Sequence, residues 1–458
     1  MNSGEYSYEE EDTITAIATP PGEGAIAIIR VSGKNALQLA DQLFSRSLIH
    51  AESHRAYYGK VTDAQGQAID HVLLLPMLHG RSFTGEDTVE IHCHGGSLIS
   101  RRVLARVVEL GARLAQPGEF SFRAFLNGKM DLVQAEAIQD LISAKNEFSL
   151  DAANHQLIGR LSREVERFQK RLFDSAAVLE AWVDFPEEGL EFTSVQEMCK
   201  DLLSLKEEMK ILLDTFHDGA LIHEGVSICL VGCPNVGKSC LMNSLLEKDR
   251  AIVTDIAGTT RDILEETMRL NGLNIRLTDT AGIRETDEIV EKEGIRRSHN
   301  AMVDADLVLL VLDASRPLQE QDHILLEKVP KDRCVLVWNK MDVEGAKTMD
   351  VSLPHSVAVS AKTRDGLQNL RKTIDSVIWS QGCPSKDEVV LTNLRHKEAL
   401  EDGIKALGAV VEGLQSDLSP EFITSDMRRC LICLGRILGS DITEDILSAI
   451  FSKFCIGK

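Results

Sequence analysis

The octapeptide Gly232-Cys233-Pro234-Asn235-Val236-Gly237-Lys238-Ser239 constrains the fold of this chain more than any other feature. An apolar β-type run at 227–231 precedes it and a helical pattern at 240–246 follows, giving strand, phosphate loop and helix in that order. Backbone amides of such a loop and of the helix N-terminus surround phosphate oxygens. Lys238 neutralises the β and γ oxygens, and Ser239 can ligate magnesium.

Four further signals follow in order. Asp279-Thr280-Ala281-Gly282 ends an apolar run at 275–277, and a second run occupies 308–312. Asn339-Lys340-Met341-Asp342 follows a third at 335–338, and Ser360-Ala361-Lys362 closes the series. The Asp342 carboxylate can accept two hydrogen bonds from the N1 and N2 edge of guanine. Adenine lacks the N2 amine, and the resulting unpaired group costs roughly 1–3 kcal/mol. Asp279 is expected to hold the magnesium shell through water, Gly282 to donate an amide to the γ-phosphate, and Ala361 to offer its amide to guanine O6. Val236, Gly237, Cys240, Thr280, Ala281, Lys340, Ser360 and Lys362 complete the expected GTP-binding set. The series predicts a Ras-like P-loop α/β domain over about 225–381.

Between the phosphate loop and Asp279, residues 252–262 carry the adjacent Thr259 and Thr260. One hydroxyl is expected to complete the magnesium shell and sense the γ-phosphate; a polar surface loop is the alternative. Ile283 stands where the best-known small GTPases place a water-orienting glutamine, and an isoleucine cannot orient water. The catalytic group must come from elsewhere. Arg284, Glu285, Asp287, Glu288 and Glu291 are all near enough, and spacing alone does not choose among them.

At 458 residues the chain is too long for one ordinary core, so two to four domains are expected. Its 50 Lys+Arg against 71 Asp+Glu give a formal charge of -21, which argues against nonspecific coating of nucleic acid. Ten scattered cysteines, two of them in the phosphate loop, fit a reducing cytoplasm better than a disulfide framework. The acidic start lacks the features of a signal peptide, and no apolar run approaches membrane-spanning length. A soluble, cytoplasmic protein is expected.

Residues 13–127 are rich in short β-type runs, at 14–18, 25–31, 56–61, 72–78 and 88–93, with helical stretches at 35–44 and 98–110. They predict an α+β domain. From 132 to about 213 the apolar period becomes helical, as in Leu157, Leu161, Val165, Phe168, Leu172, Ala176 and Leu179, with a break at 184–189. The helical period resumes after Pro384 and again over 427–454. Helical segments therefore flank the nucleotide-binding segment. The economical reading is one discontinuous helical domain with the nucleotide domain inserted, giving boundaries of 1–128, 129–224, 225–381 and 382–458. A nucleotide domain between two independent domains is the alternative.

Motifs outside the nucleotide domain carry a family resemblance. Ala18-Thr19-Pro20-Pro21-Gly22, Ser82-Phe83-Thr84-Gly85-Glu86-Asp87, His94-Gly95-Gly96, Pro117-Gly118-Glu119-Phe120, Arg123-Ala124-Phe125-Leu126-Asn127-Gly128-Lys129 and the terminal Phe454-Cys455-Ile456-Gly457-Lys458 resemble the bacterial tRNA modification GTPase family MnmE, also called TrmE. The likeness covers essentially the whole chain. It implies an N-terminal folate-binding and dimerising domain, a discontinuous helical domain and an inserted G domain. It also implies that a homodimer joins the FAD-dependent partner MnmG in a heterotetramer. Together they form a 5-aminomethyl or 5-carboxymethylaminomethyl group on the wobble uridine, position 34, of certain tRNAs. The one-carbon unit comes from 5-formyltetrahydrofolate or a related tetrahydrofolate.

Carried over by position, the resemblance makes Asn235, Thr254, Ile256 and Thr259 potassium ligands, Thr260 the magnesium-binding threonine beside Ser239, and Glu291 the catalytic glutamate. It assigns Arg30, Glu90, Lys129 and Lys458 to folate. Cys455 is a nucleophile in the terminal motif, with a packed thiol as the equal alternative. Residues 22–25, Gly-Glu-Gly-Ala, depart from the basic residue and double glycine of many relatives.

Cys430 and Cys433 form a lone CxxC at helical spacing in an apolar stretch, which favours core packing over metal or redox work. Strand alternation puts His92 and His94 on one face, where a strand-end role competes with a metal site. Arg160, Arg163, Arg167, Lys170 and Arg171 form a helical basic stripe, read as a tRNA contact or as a solvated face balanced by Glu164 and Glu166. Two other functions share the nucleotide motifs: a ribosome-assembly GTPase and a regulatory switch reset by hydrolysis.

Overall fold

The computed structural model describes residues 12–184, 194–246, 264–270, 273–279, 302–351, 353–379, 388–416 and 418–457. The chain forms two compact units. One comprises Met1–Ile142, Asn154–Lys210 and Glu398–Lys458, and the other Ser143–Ala153 and Ile211–Lys397.

In the first unit a six-stranded sheet is built from β1 (Ile14–Ile17), β2 (Ile26–Ser32), β3 (Tyr57–Thr62), β4 (Ala68–Met77), β5 (Thr88–His94) and β6 (Arg113–Leu114). Its order is β3-β4-β5-β2-β1-β6. Alternation turns Ala27, Ile29, Val31, Val72, Leu74, Val89 and Ile91 toward one face, where α1 (Ala36–Leu43) and α2 (Ser97–Glu109) cover them. The other face carries Arg30, Glu90 and His92 beside the exposed Ile26, Tyr58 and Leu73.

Helix α3 (Glu119–Leu126) brings a fully buried Arg123 against Glu86, Glu119 and Asp12. The Arg123 Nη1–Glu86 Oε1 and Nη2–Glu119 Oε1 distances are both 3.0 Å. A guanidinium spreads its charge over five donors, so one buried arginine can hold three carboxylates.

The helical pattern at 157–179 begins on the last residue of α5 (Glu147–Leu157) and, after a turn at 158–159, runs through α6 (Arg160–Asp184); α4 (Leu132–Ser143) precedes both. Leu161, Val165, Phe168, Leu172 and Leu179 are fully buried. Each contributes about 1.5–3 kcal/mol relative to exposure.

The second unit holds a sheet of order β12-β11-β10-β7-β9-β8. Its strands are β7 (Val226–Val231), β8 (Leu264–Leu270), β9 (Leu273–Asp279), β10 (Leu307–Asp313), β11 (Cys334–Asn339) and β12 (His355–Ala358). All pairings are parallel except β8 with β9. Both faces of β10 and β11 are buried, which is why they read as unbroken apolar runs. Helices α8 (Phe216–Glu224), α9 (Lys238–Leu246), α10 (Glu320–Lys328) and α11 (Leu367–Ile378) flank this sheet, whereas α7 (Val195–Asp214) belongs to the first unit as far as Lys210. The chain continues through α12 (Leu394–Gln415), α13 (Pro420–Leu438) and α14 (Glu444–Phe451). Among the described residues no helix is long and apolar enough to cross a membrane.

Candidate functional site

In the second unit, loops at the carboxyl ends of the parallel strands converge, where α/β sheets bind ligands. The buried β7 delivers the phosphate loop, and α9 begins at Lys238. The Lys238 ammonium donates to the carbonyls of Gly232 at 2.7 Å and Cys233 at 3.0 Å, which holds it inside the loop. Asn235 adopts φ +64° and Gly237 φ +98°. A Cβ on Gly237 would stand 2.3 Å from Asn339 Nδ2, so only glycine fits there.

Asn339 explains that closeness. Its side chain is buried, its Nδ2 donates to the Val236 carbonyl at 2.9 Å, and its Oδ1 accepts from the Ala361 amide at 3.0 Å. One amide group thus ties the phosphate loop to the Ser360-Ala361-Lys362 loop. Ser244 on α9 adds a second tie, donating to the Ala361 carbonyl at 2.7 Å. The Ala361 amide assigned to guanine O6 is therefore already directed at Asn339, and reaching O6 as well would take a shared, three-centre bond.

Asp342 is exposed, and the Ser360 hydroxyl donates to its Oδ1 at 2.7 Å. That bond, with smaller contributions from Lys362 and Lys340, holds the carboxyl below the ordinary carboxylate range. The ionised carboxylate is the form that accepts from a guanine edge. Lys340 has the left-handed φ of +66°, and its ammonium pairs with Asp313 Oδ2 at 2.6 Å. Ser239, Cys240 and Lys362 are exposed around the same loops. Asp279 ends β9 beside Leu230 of β7, which brings its backbone to the same end of the sheet.

In the first unit, Arg30 and Glu90 face each other in register on β2 and β5. Arg30 Nε and Nη2 lie 2.9 Å and 2.8 Å from Glu90 Oε1, and His92 Nε2 lies 3.3 Å from Glu90 Oε2. The guanidinium sits over the rings of Phe83 and Phe120, 5.8 Å and 5.6 Å from their centroids. Its Nη1 donates to the Gly457 carbonyl at 3.2 Å, which brings the chain's last residues to the pair. Gly118 N donates to the Cys455 carbonyl at 3.4 Å, and the Cys455 side chain is exposed. Lys129 takes a different partner, the Gly80 carbonyl, at 3.2 Å.

Comparison with known proteins supplies the lineage. A family model described as the MnmE helical domain matches residues 132–455, and one described as the N-terminus of the GTP-binding protein TrmE matches residues 13–129. The tRNA modification GTPase MnmE of Protochlamydia amoebophila is 56% identical over 451 residues, covering 98% of each chain. The tRNA modification GTPase MnmE of Geobacter sulfurreducens is 44% identical, over 98% of this chain and 99% of its own. The chain belongs to the MnmE (TrmE) family of tRNA modification GTPases.

Among solved structures, the G domain of the Thermotoga maritima iron transporter FeoB matches 33% of this chain and 98% of its own, at 29% identity and a TM-score of 0.25. Aquifex aeolicus Era bound to GDP and aluminium fluoride matches 40% of this chain and 66% of its own, at 25% identity and a TM-score of 0.27.

Several residues of this MnmE-family chain that the sequence singled out lie outside the described residues: Thr254, Ile256, Thr259, Thr260, Thr280, Ala281, Gly282, Ile283, Glu291, Lys458 and the side chain of Asp279. The break at 185–189 lies outside them too. The structure brings Asn235, Lys238, Ser239, Asn339, Asp342, Ser360 and Ala361 to one set of loops, and Arg30, Glu90 and the terminal motif to another.

The basic stripe of α6 meets Glu164, which the sequence reading named, and two acids of α7 that it did not. Arg167 pairs with Glu164 at 2.6 Å and Glu208 at 2.6 Å, and Arg171 pairs with Glu208 at 2.8 Å and with Asp201. Two of its five basic groups are thus committed to α7 carboxylates. Cys430 and Cys433 are buried, and burial pushes the Cys430 thiol up to about 12, which suits packing. His92 and His94 share a face as expected, but each meets a carboxylate: Glu90, or Asp70 at 2.7 Å. No metal-holding group of His, Cys, Asp or Glu exists among the described residues.

Sequence reasoning missed Ser244 and Asp313. Ser244 left no signal in a helix. Asp313 left one, as the charged end of a strand whose other members are all apolar.

Proposed function

We propose that this MnmE-family protein hydrolyses GTP and couples hydrolysis to modification of the wobble uridine of certain tRNAs. The observation that carries the nucleotide part is Asn339 joining the phosphate loop to the Ser360-Ala361-Lys362 loop, with Ser360 orienting Asp342. That arrangement fixes a carboxylate acceptor for the guanine N1 and N2 edge at a set distance from the phosphate loop. A base lacking N2 leaves the acceptor unpaired.

Magnesium would be held by Ser239, at the start of α9, and by Thr260, with Asp279 acting through water. Potassium would be held by Asn235, Thr254, Ile256 and Thr259, placing positive charge where other GTPases use an arginine. These ions supply charge to the phosphates. Glu291, in this reading, orients the attacking water, the task Ile283 cannot perform.

For the tRNA part, Arg30, Glu90, Lys129 and Lys458 hold 5-formyltetrahydrofolate or a related one-carbon folate. Glu90 accepts from the pterin, and the basic groups meet its carboxylates or formyl oxygen. Cys455, anchored near Arg30 through Gly457, is a candidate nucleophile. The exposed Ile26, Tyr58 and Leu73 on the open sheet face support a homodimer through the N-terminal domain. The dimer works with FAD-dependent MnmG in a heterotetramer, in the cytoplasm, to form the 5-aminomethyl or 5-carboxymethylaminomethyl group. The domains fall at 1–128, 129–224, 225–381 and 382–458.

Two measurements test the reading. GTP turnover should be fast in potassium and slow in sodium, and Glu291→Ala should lose most turnover while keeping GTP affinity. Cells lacking the protein should lose the C5 group from wobble uridine by nucleoside mass analysis, and an unchanged profile sinks the tRNA assignment.

A further inference from the structure

Asp313 closes β10, the strand beside the one that ends in Asn339, and the two residues stand opposite each other in the parallel register. Six of the seven residues of β10 are apolar, and all seven are buried. A carboxylate in that place is costly unless paired. It is paired toward the nucleotide site. Asp313 Oδ2 accepts from the Lys340 ammonium at 2.6 Å, while Oδ1 accepts from the Ser315 hydroxyl at 2.6 Å and its amide at 3.0 Å. Arg316 lies 4.0 Å from Asp313 and 2.8 Å from Asp322. Asp322 is buried and caps α10, and together with burial its carboxylate pushes the phosphate-loop thiol of Cys233 up to about 11. Alternating charges thus run from the base-recognition loop to the phosphate loop.

Lys340 needs such a hold. It is a lysine at φ +66°, a strained conformation that persists only where its surroundings fix it. Its long, flexible side chain loses rotamer freedom when it is held in one direction. Unrestrained, it would sample solvent rather than lie in one direction beside Asn339 and Asp342.

We propose that Asp313 is a positioning residue for guanine nucleotide binding, which fixes the Lys340 side chain along the base site by pairing with its ammonium. It acts through Lys340 and touches no nucleotide itself. The inference rests on the reading of Asp342 as the guanine acceptor.

The test is a double-mutant cycle on the full-length protein, read as GDP affinity by calorimetry: Asp313→Asn, Lys340→Met and both together. A charge-assisted hydrogen bond to Lys340 predicts a loss of about tenfold to a hundredfold for Asp313→Asn. In the Lys340→Met background the same change should cost less than twofold, because the partner is already gone. Asp313→Ser keeps an acceptor for Ser315 and replaces Asp313→Asn if the latter does not fold by circular dichroism. An Asp313 variant within twofold of the parent overturns the proposal, and so does an effect that persists at full size in the Lys340→Met background, as a purely structural role predicts. Asp342→Asn separates the two layers. It presents an N–H donor, suited to the C2 carbonyl of xanthine, and should move preference from GDP to the xanthine diphosphate. Retained guanine preference in that variant overturns the base-site reading itself, and the proposal with it.

Discussion

Replacing Asn339 by alanine offers a sharp test of how the nucleotide loops are held. The substitution removes both ends of one bridge, leaving the Val236 carbonyl and the Ala361 amide without the partners they have at 2.9 Å and 3.0 Å. A buried group deprived of its partner costs about 1–3 kcal/mol, so the pair costs about 2–6 kcal/mol. In the free protein the two loops can part and rehydrate, which recovers much of that cost. A bound nucleotide requires them together, so the remaining penalty, about 3 kcal/mol, falls on binding. At about 1.4 kcal/mol per decade this is about a hundredfold in Kd. Asn339→Asp is a stricter companion: it keeps an acceptor for Ala361 but sets a carboxylate oxygen against the Val236 carbonyl, and should bind no better than the alanine variant. Titration with a fluorescent GDP derivative measures the effect, with thermal unfolding to confirm the fold. A folded Asn339→Ala protein binding within threefold of the parent would refute the bridge as the element that couples the loops.

Three other outcomes follow from particular contacts. Gly237→Ala places a methyl 2.3 Å from Asn339 Nδ2 at a φ of +98°, and should abolish measurable GDP binding by calorimetry. Arg123→Met leaves Asp12, Glu86 and Glu119 around an apolar side chain, and chemical denaturation should show a loss of about 3–5 kcal/mol. For Asp322, burial favours the neutral acid, but the Gln319 amide, the Cys233 thiol and Arg316 outweigh it and hold the carboxyl below its ordinary value. Its folded pKa is depressed, so its stabilising contribution is complete above the unfolded pKa of about 4 and is lost as pH falls through the folded value. Asp322→Asn should therefore flatten the acid limb of the stability profile below about pH 4; an unchanged limb in urea unfolding at pH 3 and 7 counts against it.

The strands of the N-terminal sheet were legible because one face is buried and the other is not, so β2 and β5 alternate cleanly. Two-residue β6 is too short for any period to show. Helix α3 escaped for another reason. Glu119, Ser121 and Arg123 are buried along with Phe120, Phe122 and Ala124, so the helix has no polar stripe. Helix α8 carries Gly219 in its interior, a poor helix former, and the structure shows why it is there: a Cβ would stand 1.9 Å from the Leu391 carbonyl. In the nucleotide site the phosphate loop, Asn339-Lys340-Met341-Asp342 and Ser360-Ala361-Lys362 were legible as motifs because each is a run of adjacent residues. Ser244 and Asp313 act on residues 117 and 27 positions further along; no local pattern encodes the first contact, and the second showed only as a charge that ends an apolar strand. Arg30 and Glu90, 60 positions apart, were found only through family resemblance, since each alone is an ordinary strand residue.

The bond from Arg30 to the Gly457 carbonyl spans 427 positions. At about 5–20 residues per second, a ribosome takes about 20–85 s to travel from one partner to the other. The sheet around Arg30 can pair early, but the wall supplied by Gly457 arrives only after the strands and helices of the nucleotide domain have been made. The N-terminal site thus gains that wall only once every nucleotide loop has been synthesised, so a growing chain can hold its nucleotide loops in full while the site around Arg30 is still open.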